Sequence, residues 1–283
     1  MSATTVRYDL DDAGMQRITA EFLAAHPART GRFVTAVVGP GSDLARVGRA
    51  LERRVFEESF GNDTEVMAAE YGRYEANSLF FVVIDRRRGV PAGVARMIES
   101  NGPGVKTIDD APDHIGVDVD TILAAHGMNG ERVWDCATLA VLPQYRGGRS
   151  SLLVSSMLYR TFLVIGRRRG VRHAVSMLDR GAYRNIAMIG APMRTLADSG
   201  PFAYLGAAEN RAVYMDFPRI EAAVREQAVR MRRASRPTPA ALRRSGPRKL
   251  LVNRVAFQVS TRIGTGKDVD EHIVVAEGLT AGA

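Results

Sequence analysis

The stretch LAVLPQYRGGRSSLLVSSML, residues 139–158, constrains this chain more than any other. An apolar strand runs into Pro143, passes through Gln-Tyr-Arg-Gly-Gly-Arg, and opens into an almost wholly apolar helix. The first N–H groups of a helix have no partner within it, and the helix dipole adds partial positive charge there. Gly147 and Gly148 let a backbone come close to an anion, while Arg146 and Arg149 supply countercharge. With Gln144 before it and Ser150 and Ser151 at the helix start, the stretch reads as a phosphate cradle. The plainer reading is a simple turn with Ser150 as helix cap.

The surroundings give the stretch its context. Residues 12–26 read as a short amphipathic helix and 32–38 as a strand. Ser42 and Asp43 cap a helix running to about Phe60, with Leu44, Val47, Leu51, Val55 and Phe56 on its apolar face. Residues 78–85 and 91–99 are two strands of a hairpin, and a short helix is expected near 117–126. A strand at 132–142 leads into the Gly-rich turn and the helix at 150–165. A strand at 173–178, a helix near 180–190 and a strand at 211–217 complete the set. Strands alternate with helices after an early hairpin, so the fold class is α/β with a mixed central sheet. Beyond Phe217 the composition changes. A helix pattern at 218–233 leads into a Pro- and Arg-rich segment with no acidic residue between Gln227 and Lys267. The expected organisation is therefore a domain over 1–217 and a basic extension over 218–283.

The 39 basic residues exceed the 31 acidic ones, which suits nucleic acid, a membrane surface or acidic partners. Phe257 is the only aromatic residue in the basic stretch 230–267, which argues against a base-stacking nucleic-acid module. A single cysteine, Cys136, excludes an internal disulfide and points to a reducing compartment. The first fifteen residues carry no apolar signal segment, and the longest apolar run, 150–165, is interrupted by Arg160 and too short to span a bilayer. A cytoplasmic protein is expected. The five histidines lack zinc spacing, so no metal is expected.

A hairpin, then a strand, a Gly-rich loop and a helix: this order resembles the GNAT superfamily of N-acyltransferases over roughly residues 30–217. Gln144, Gly147 and Arg149 fall on that family's pyrophosphate-loop pattern, with Arg149 where a small residue is usual. Arg53 or Arg54, Phe56, Glu70, Tyr74, Glu75, Ser78 and Arg96 are similar in layout to the branch holding acyl-homoserine-lactone synthases and long-chain N-acyl amino acid synthases. That branch carries Trp-Glu-x-Ser-Arg on its fourth strand. Here Trp134-Asp135-Cys136-Ala137-Thr138 keeps the carboxylate and loses the Ser-Arg pair, which argues against lactone formation from S-adenosylmethionine. Ordinary acetyltransferases of the superfamily place a tyrosine on the helix after strand five. This chain has none at that point, with Tyr183 just upstream.

The resemblance implies an N-acyltransferase that moves an acyl group from acyl-CoA or acyl-phosphopantetheine to an amine acceptor, such as an amino acid, by direct attack. The backbone N–H groups around Leu139, Ala140 and Val141 would hold the pantetheine arm and the oxyanion. Asp135 is the candidate general base, and Glu75 is the candidate for orienting the acceptor. Cys136 reads as core rather than as a nucleophile. Leu152, Met157 and Phe162 are candidates for an acyl tunnel. Arg167, Arg168 and Arg169, with Arg146 and Arg149, are candidates for meeting an acidic acyl carrier protein. Two other readings stay open: a nucleic-acid or membrane-surface binding protein, and a non-catalytic binding subunit built on the same fold.

Overall fold

In the computed structural model the described residues are 8–27, 31–146, 151–234, 272–276 and 279. Among them, helix α1 (Asp12–Ala25) precedes strand β1 (Phe33–Val38), α2 (Asp43–Phe60) and α3 (Thr64–Tyr71). The hairpin β2 (Ser78–Asp85) and β3 (Val90–Glu99) follows, then α4 (Lys106–Ile115), α5 (Val119–His126) and β4 (Val133–Val141). Next come α6 (Ser151–Arg168), β5 (His173–Asp179), α7 (Arg180–Met188), β6 (Arg194–Thr195) and β7 (Phe202–Tyr204). The chain ends with β8 (Ala207–Asp216), α8 (Phe217–Ala234) and β9 (Ile273–Val275).

The strands form one mixed sheet in the order β6-β8-β5-β4-β3-β2-β1-β9, with β7 also on β8. β1 and β2, rich in valine, isoleucine and phenylalanine, are buried along their whole length. Gly48 of α2 packs against Phe80 and Val94, while Val154 of α6 packs against Gly93. Successive strand residues point to opposite faces, so α2 and α6 cover the two sides of the sheet. A side chain at Gly93 would reach 2.7 Å from Val154, so glycine is what lets α6 lie this close. α8 joins the α6 face, where Phe162 and Phe217 meet edge to face at 5.2 Å. α4 lies on the α2 face and supplies Ile108 and Ala111 to a core shared with Val175 and Ala212.

α3 and α4 were not anticipated from the sequence. α4 is only ten residues long and contains Pro112, which argues against a helix from sequence alone, yet its C-terminus closes normally with Gly116 donating to Pro112 O. The C-terminal segment also contributes to the sheet: β9 pairs in parallel with β1, from Thr35↔Ile273 to Val37↔Val275. The Pro- and Arg-rich residues 235–271 lie outside the described residues.

One buried ionic cluster ties these elements together. Arg96 of β3 is wholly buried and grips Glu52 of α2 with two contacts, at 2.7 and 3.2 Å. It also donates to Glu75 at 3.0 Å and to the Tyr8 hydroxyl at 3.0 Å. Arg49 pairs with the other Glu75 oxygen, and the Thr138 hydroxyl of β4 donates to Glu52. The aromatic faces of Phe80 and Tyr71 lie 4.6 and 4.9 Å from the guanidinium carbon. Removing one member of such a cluster leaves the other charge buried and unpaired. Glu52→Ala is therefore expected to cost about 3–5 kcal/mol of stability, read as a lowered midpoint in urea unfolding. A loss below about 1 kcal/mol would show that water enters to take the place of Glu52.

Candidate active site

β4 and β5 run in parallel only from Val133↔His173 to Asp135↔Val175 and then diverge. Beyond that point β4 remains paired on its other edge with β3. The register of that pair shifts between Arg96 and Met97, so Ala137 is an extra residue in β4. The Leu142 N–H donates to Ala92 O at 3.1 Å. Hydrogen-bonded and open residues alternate in an antiparallel pair, so Ala140 turns its polar groups to β3 while Leu139 and Val141 turn theirs to the gap. Arg146 Nε accordingly reaches Val141 O, at 2.5 Å. Two backbone N–H groups thus face an opening that no strand among the described residues fills, and Leu139 is one of the few large apolar residues left exposed among them.

The gap opens into a cavity of about 420 Å3 that passes through the sheet. Its walls in the gap are Cys136–Leu139 and Val141 of β4 and Ser176–Asp179 of β5, with Arg146 also on the lining. On the α2 face it is bounded by Phe56, Ser59, Phe60, Tyr71 and Tyr204. On the α6 face it continues between Tyr159, Phe162, Ile189, Ile220 and Val224. Asp179, on the wall, caps α7 by accepting from the N–H of Gly181 at 2.6 Å and of Ala182 at 3.0 Å.

Of the expected donor-binding residues, Leu139, Val141 and Arg146 line this cavity, and Ala140 does not. Gln144 lies exposed in the turn Pro143–Tyr145, just before the loop. Gly147, Gly148, Arg149 and Ser150 lie outside the described residues, as do the side chains of Ser151 and Leu152. Phe162 lines the cavity, whereas Met157 packs against the main core. Tyr183 carries Arg211 over its ring at 5.5 Å and is not on the lining.

The two candidate carboxylates lie behind the wall. Asp135 is completely buried and accepts from Thr107 twice, from the backbone N–H at 2.5 Å and from the hydroxyl at 2.9 Å. It therefore holds the first turn of α4. Burial away from water dominates its ionisation and pushes the carboxyl up to about 7, against the Thr107 bonds that favour the anion. Glu75 is committed to Arg49 and Arg96. Neither carboxylate lines the cavity. Cys136 does line it, but burial raises its thiol far above the usual range, so it stays protonated.

Three tyrosines are the cavity-wall groups that sequence reasoning passed over. Tyr71 and Tyr204 stand on the α2 face, beside a charged cluster in which Lys106 bridges Glu70 and Asp110 and the Tyr204 hydroxyl donates to Asp110 at 2.7 Å. Tyr159 stands on the α6 face, where burial, with Asp179 as a charged neighbour, raises its phenol. Tyr159 lay in plain view within the apolar helix 150–165, as its one aromatic residue with a polar tip.

The ionisation of Asp135 has a stability consequence. Its pKa is raised on folding, so the native state holds that proton more tightly than the unfolded chain. The stabilisation is present below about pH 4 and is lost as pH rises through about 7. Asp135→Asn keeps a neutral acceptor for Thr107 at every pH. The melting temperature of the variant is therefore expected to gain on that of the wild type between pH 4.5 and 8. A constant difference across this range in thermal unfolding would contradict the raised pKa.

No family model matches the sequence, and no curated protein matches it. Solved structures do resemble the fold. FeeM, an N-acyl amino acid synthase from uncultured soil microbes, superposes with a TM-score of 0.53 at 15% identity, over 69% of this chain and 95% of that one. The AHL synthase LasI gives a TM-score of 0.48 at 15% identity, over the same shares of the two chains. The CoA-dependent acyl-homoserine lactone synthase BjaI gives 0.46 at 11% identity, over 86% and 93%. The mixed sheet with helices on both faces is thus the GNAT-like fold that the loop and hairpin led us to expect, and this chain shares the fold of an N-acyl amino acid synthase.

Proposed function

We propose that this chain is an N-acyltransferase that moves an acyl group from the thioester of CoA or an acyl carrier protein to a small-molecule amine, such as an amino acid. The observation that carries this reading is the open edge of β4. The N–H groups of Leu139 and Val141 face an unfilled gap that continues as a cavity on both sides of the sheet. The Gly-rich turn of residues 146–151 follows directly in the sequence. A pantetheine arm entering past Arg146 would take these N–H groups along its length, leaving one of them to the thioester carbonyl. Donors fixed in advance at the developing oxyanion are among the largest contributions a protein makes to acyl transfer.

The amine enters from the α2 face, between Tyr71 and Tyr204, and attacks the carbonyl directly. The C–N bond forms, the C–S bond breaks, the proton lost by the amine nitrogen passes to the departing thiolate, and the thiol leaves along the donor arm. No cysteine intermediate is needed, in keeping with the protonated state of Cys136. Asp135 and Glu75 act as positioning residues: Asp135 sets α4 through Thr107, and Glu75 sets the Arg49–Arg96 cluster behind Thr138.

Arg167 and Arg169 are less available to an acidic carrier than their sequence suggests. Arg169 grips Glu99 at 2.8 and 2.9 Å, and Arg167 pairs with Glu221 at 2.6 Å. A carrier would instead meet the exposed Arg146 and the basic turn that follows it.

Two measurements test this reading. Gly147→Glu, which adds a carboxylate to the Gly-rich turn, is expected to abolish binding of CoA or of the acyl carrier, read by calorimetry; unchanged affinity for both would refute the loop as the donor site. Asp135→Asn is expected to keep its thiol-release rate with an amine panel within a few-fold of wild type from pH 6 to 10. A fall of about 10²–10⁴ at neutral pH that recovers at high pH would instead make Asp135 the general base.

A further inference from the structure

We propose that Asp179, the last residue of β5, is the catalytic base: it takes a proton from the incoming ammonium and so frees the nitrogen to attack. This rests on the acyl-thioester reading above and assigns a further catalytic residue to that same site.

A small amine at neutral pH is mostly an ammonium, whose nitrogen has no lone pair for the carbonyl. The cavity wall offers few groups to take one of its protons. Among the described residues its titratable side chains are Tyr71, Cys136, Arg146, Tyr159, Asp179 and Tyr204. Burial raises the three phenols and the thiol, so they keep their protons, and the Arg146 guanidinium is already a cation. Asp179 is the one carboxylate on the wall among the described residues, Asp135 and Glu75 both standing behind it. Its Oδ1 accepts from the N–H of Gly181 at 2.6 Å and of Ala182 at 3.0 Å, while its Oδ2 makes no hydrogen bond or ion pair among the described residues. One oxygen thus fixes the group, and the other is open to a substrate.

The place of Asp179 matches this role. β4 and β5 stay in register as far as Asp135↔Val175 before they part. Four residues further on, β5 ends in Asp179, and β4, shortened by the extra residue Ala137, has reached Leu139 and Ala140. The carboxylate therefore stands across the gap from the first N–H that would hold the carbonyl oxygen. Val175 and Met177 pack with Ile108 and Ala111 of α4, on the α2 face. Asp179 is still extended, so strand alternation carries it to that same side, from which the amine enters. The protons then balance. The ammonium gives its first proton to Asp179 Oδ2, and the lone pair left behind forms the C–N bond. The nitrogen sheds its second proton after that bond exists, and this one goes to the departing thiolate. Asp179 passes its own proton to water.

The test compares the full chain with Asp179→Asn, Asp179→Ser and Asp135→Asn. The donors are acetyl-, octanoyl- and palmitoyl-CoA and the matching acyl-phosphopantetheines, the acceptors are the protein amino acids, and thiol release is followed from pH 6 to 10. Asparagine and serine cap a helix as well as aspartate does, so α7 and the melting temperature are expected to hold in both Asp179 variants. Each is expected to lose about 10²–10⁴ in kcat at neutral pH, with donor affinity by calorimetry unchanged. The loss is expected to shrink towards pH 10, where more of the amine is neutral without help, while Asp135→Asn stays within a few-fold of wild type throughout. Asp179 variants within a few-fold of wild type at every pH would overturn the proposal. So would an equal loss at every pH, or a melting transition lowered in both variants, since either marks Asp179 as a structural cap alone. The absence of thiol release by the wild type with every donor would overturn the acyl-thioester reading itself.

Discussion

The buried guanidinium of Arg96 is the interaction on which the rest of this structure depends. A charge removed wholly from water is tolerable only when its donors are met by carboxylates and its faces by aromatic rings. Glu52, Glu75, Tyr8, Phe80 and Tyr71 meet both needs. These residues come from the N-terminal segment, α2, the α3 end, β2 and the turn before it, so satisfying one side chain fixes five pieces of chain against β3. The cluster reaches β4 through the Thr138 hydroxyl on Glu52, immediately after the extra residue Ala137. The strand edge that faces the cavity is held in place from behind.

A second consequence is that the cavity has two chemically distinct sides. On the α2 face Tyr71 and Tyr204 present phenols with a charged cluster behind them, whereas on the α6 face the single phenol of Tyr159 stands among Phe162, Ile189, Ile220 and Val224. The sheet separates the two, and the divergence of β4 from β5 is the passage between them. The proposed acyl transfer would use the two sides for acyl chain and amine, with fixed donors where they meet.

Several of the arginines that suggest an anionic partner are paired within the fold. Arg32 pairs with Asp85 at 2.6 Å, Arg169 with Glu99 and Arg167 with Glu221. At Asp85 the bonds from Arg32, the Tyr145 hydroxyl and the Arg87 N–H outweigh burial and keep the carboxyl below its ordinary value. Tyr145 belongs to the turn that leads into the Gly-rich loop, so this pair anchors the loop's entry to the β2 end.

Local signals in the sequence were enough for the helices and strands with strong periodicity or clear caps. Ser42 caps α2 and Asp179 caps α7 by direct hydrogen bonds, and the apolar runs of β1 and β2 are buried along their length. The order of strand β4 and helix α6 was likewise legible, because each depends on neighbours a few residues apart. α4 was not, since Pro112 inside it argues against a helix, and its position is set by Asp135, 28 residues further on. The same distance in sequence explains the candidate carboxylates. Their residue type was visible, but only the tertiary structure decided that Thr107 and the two arginines would occupy them and that Tyr71, Tyr159 and Tyr204 would line the cavity. Side-chain partners across a sheet follow from register and burial, which no local stretch encodes. The sequence by itself thus determined the elements with strong local signals, while packing decided which polar groups remain free to meet a substrate.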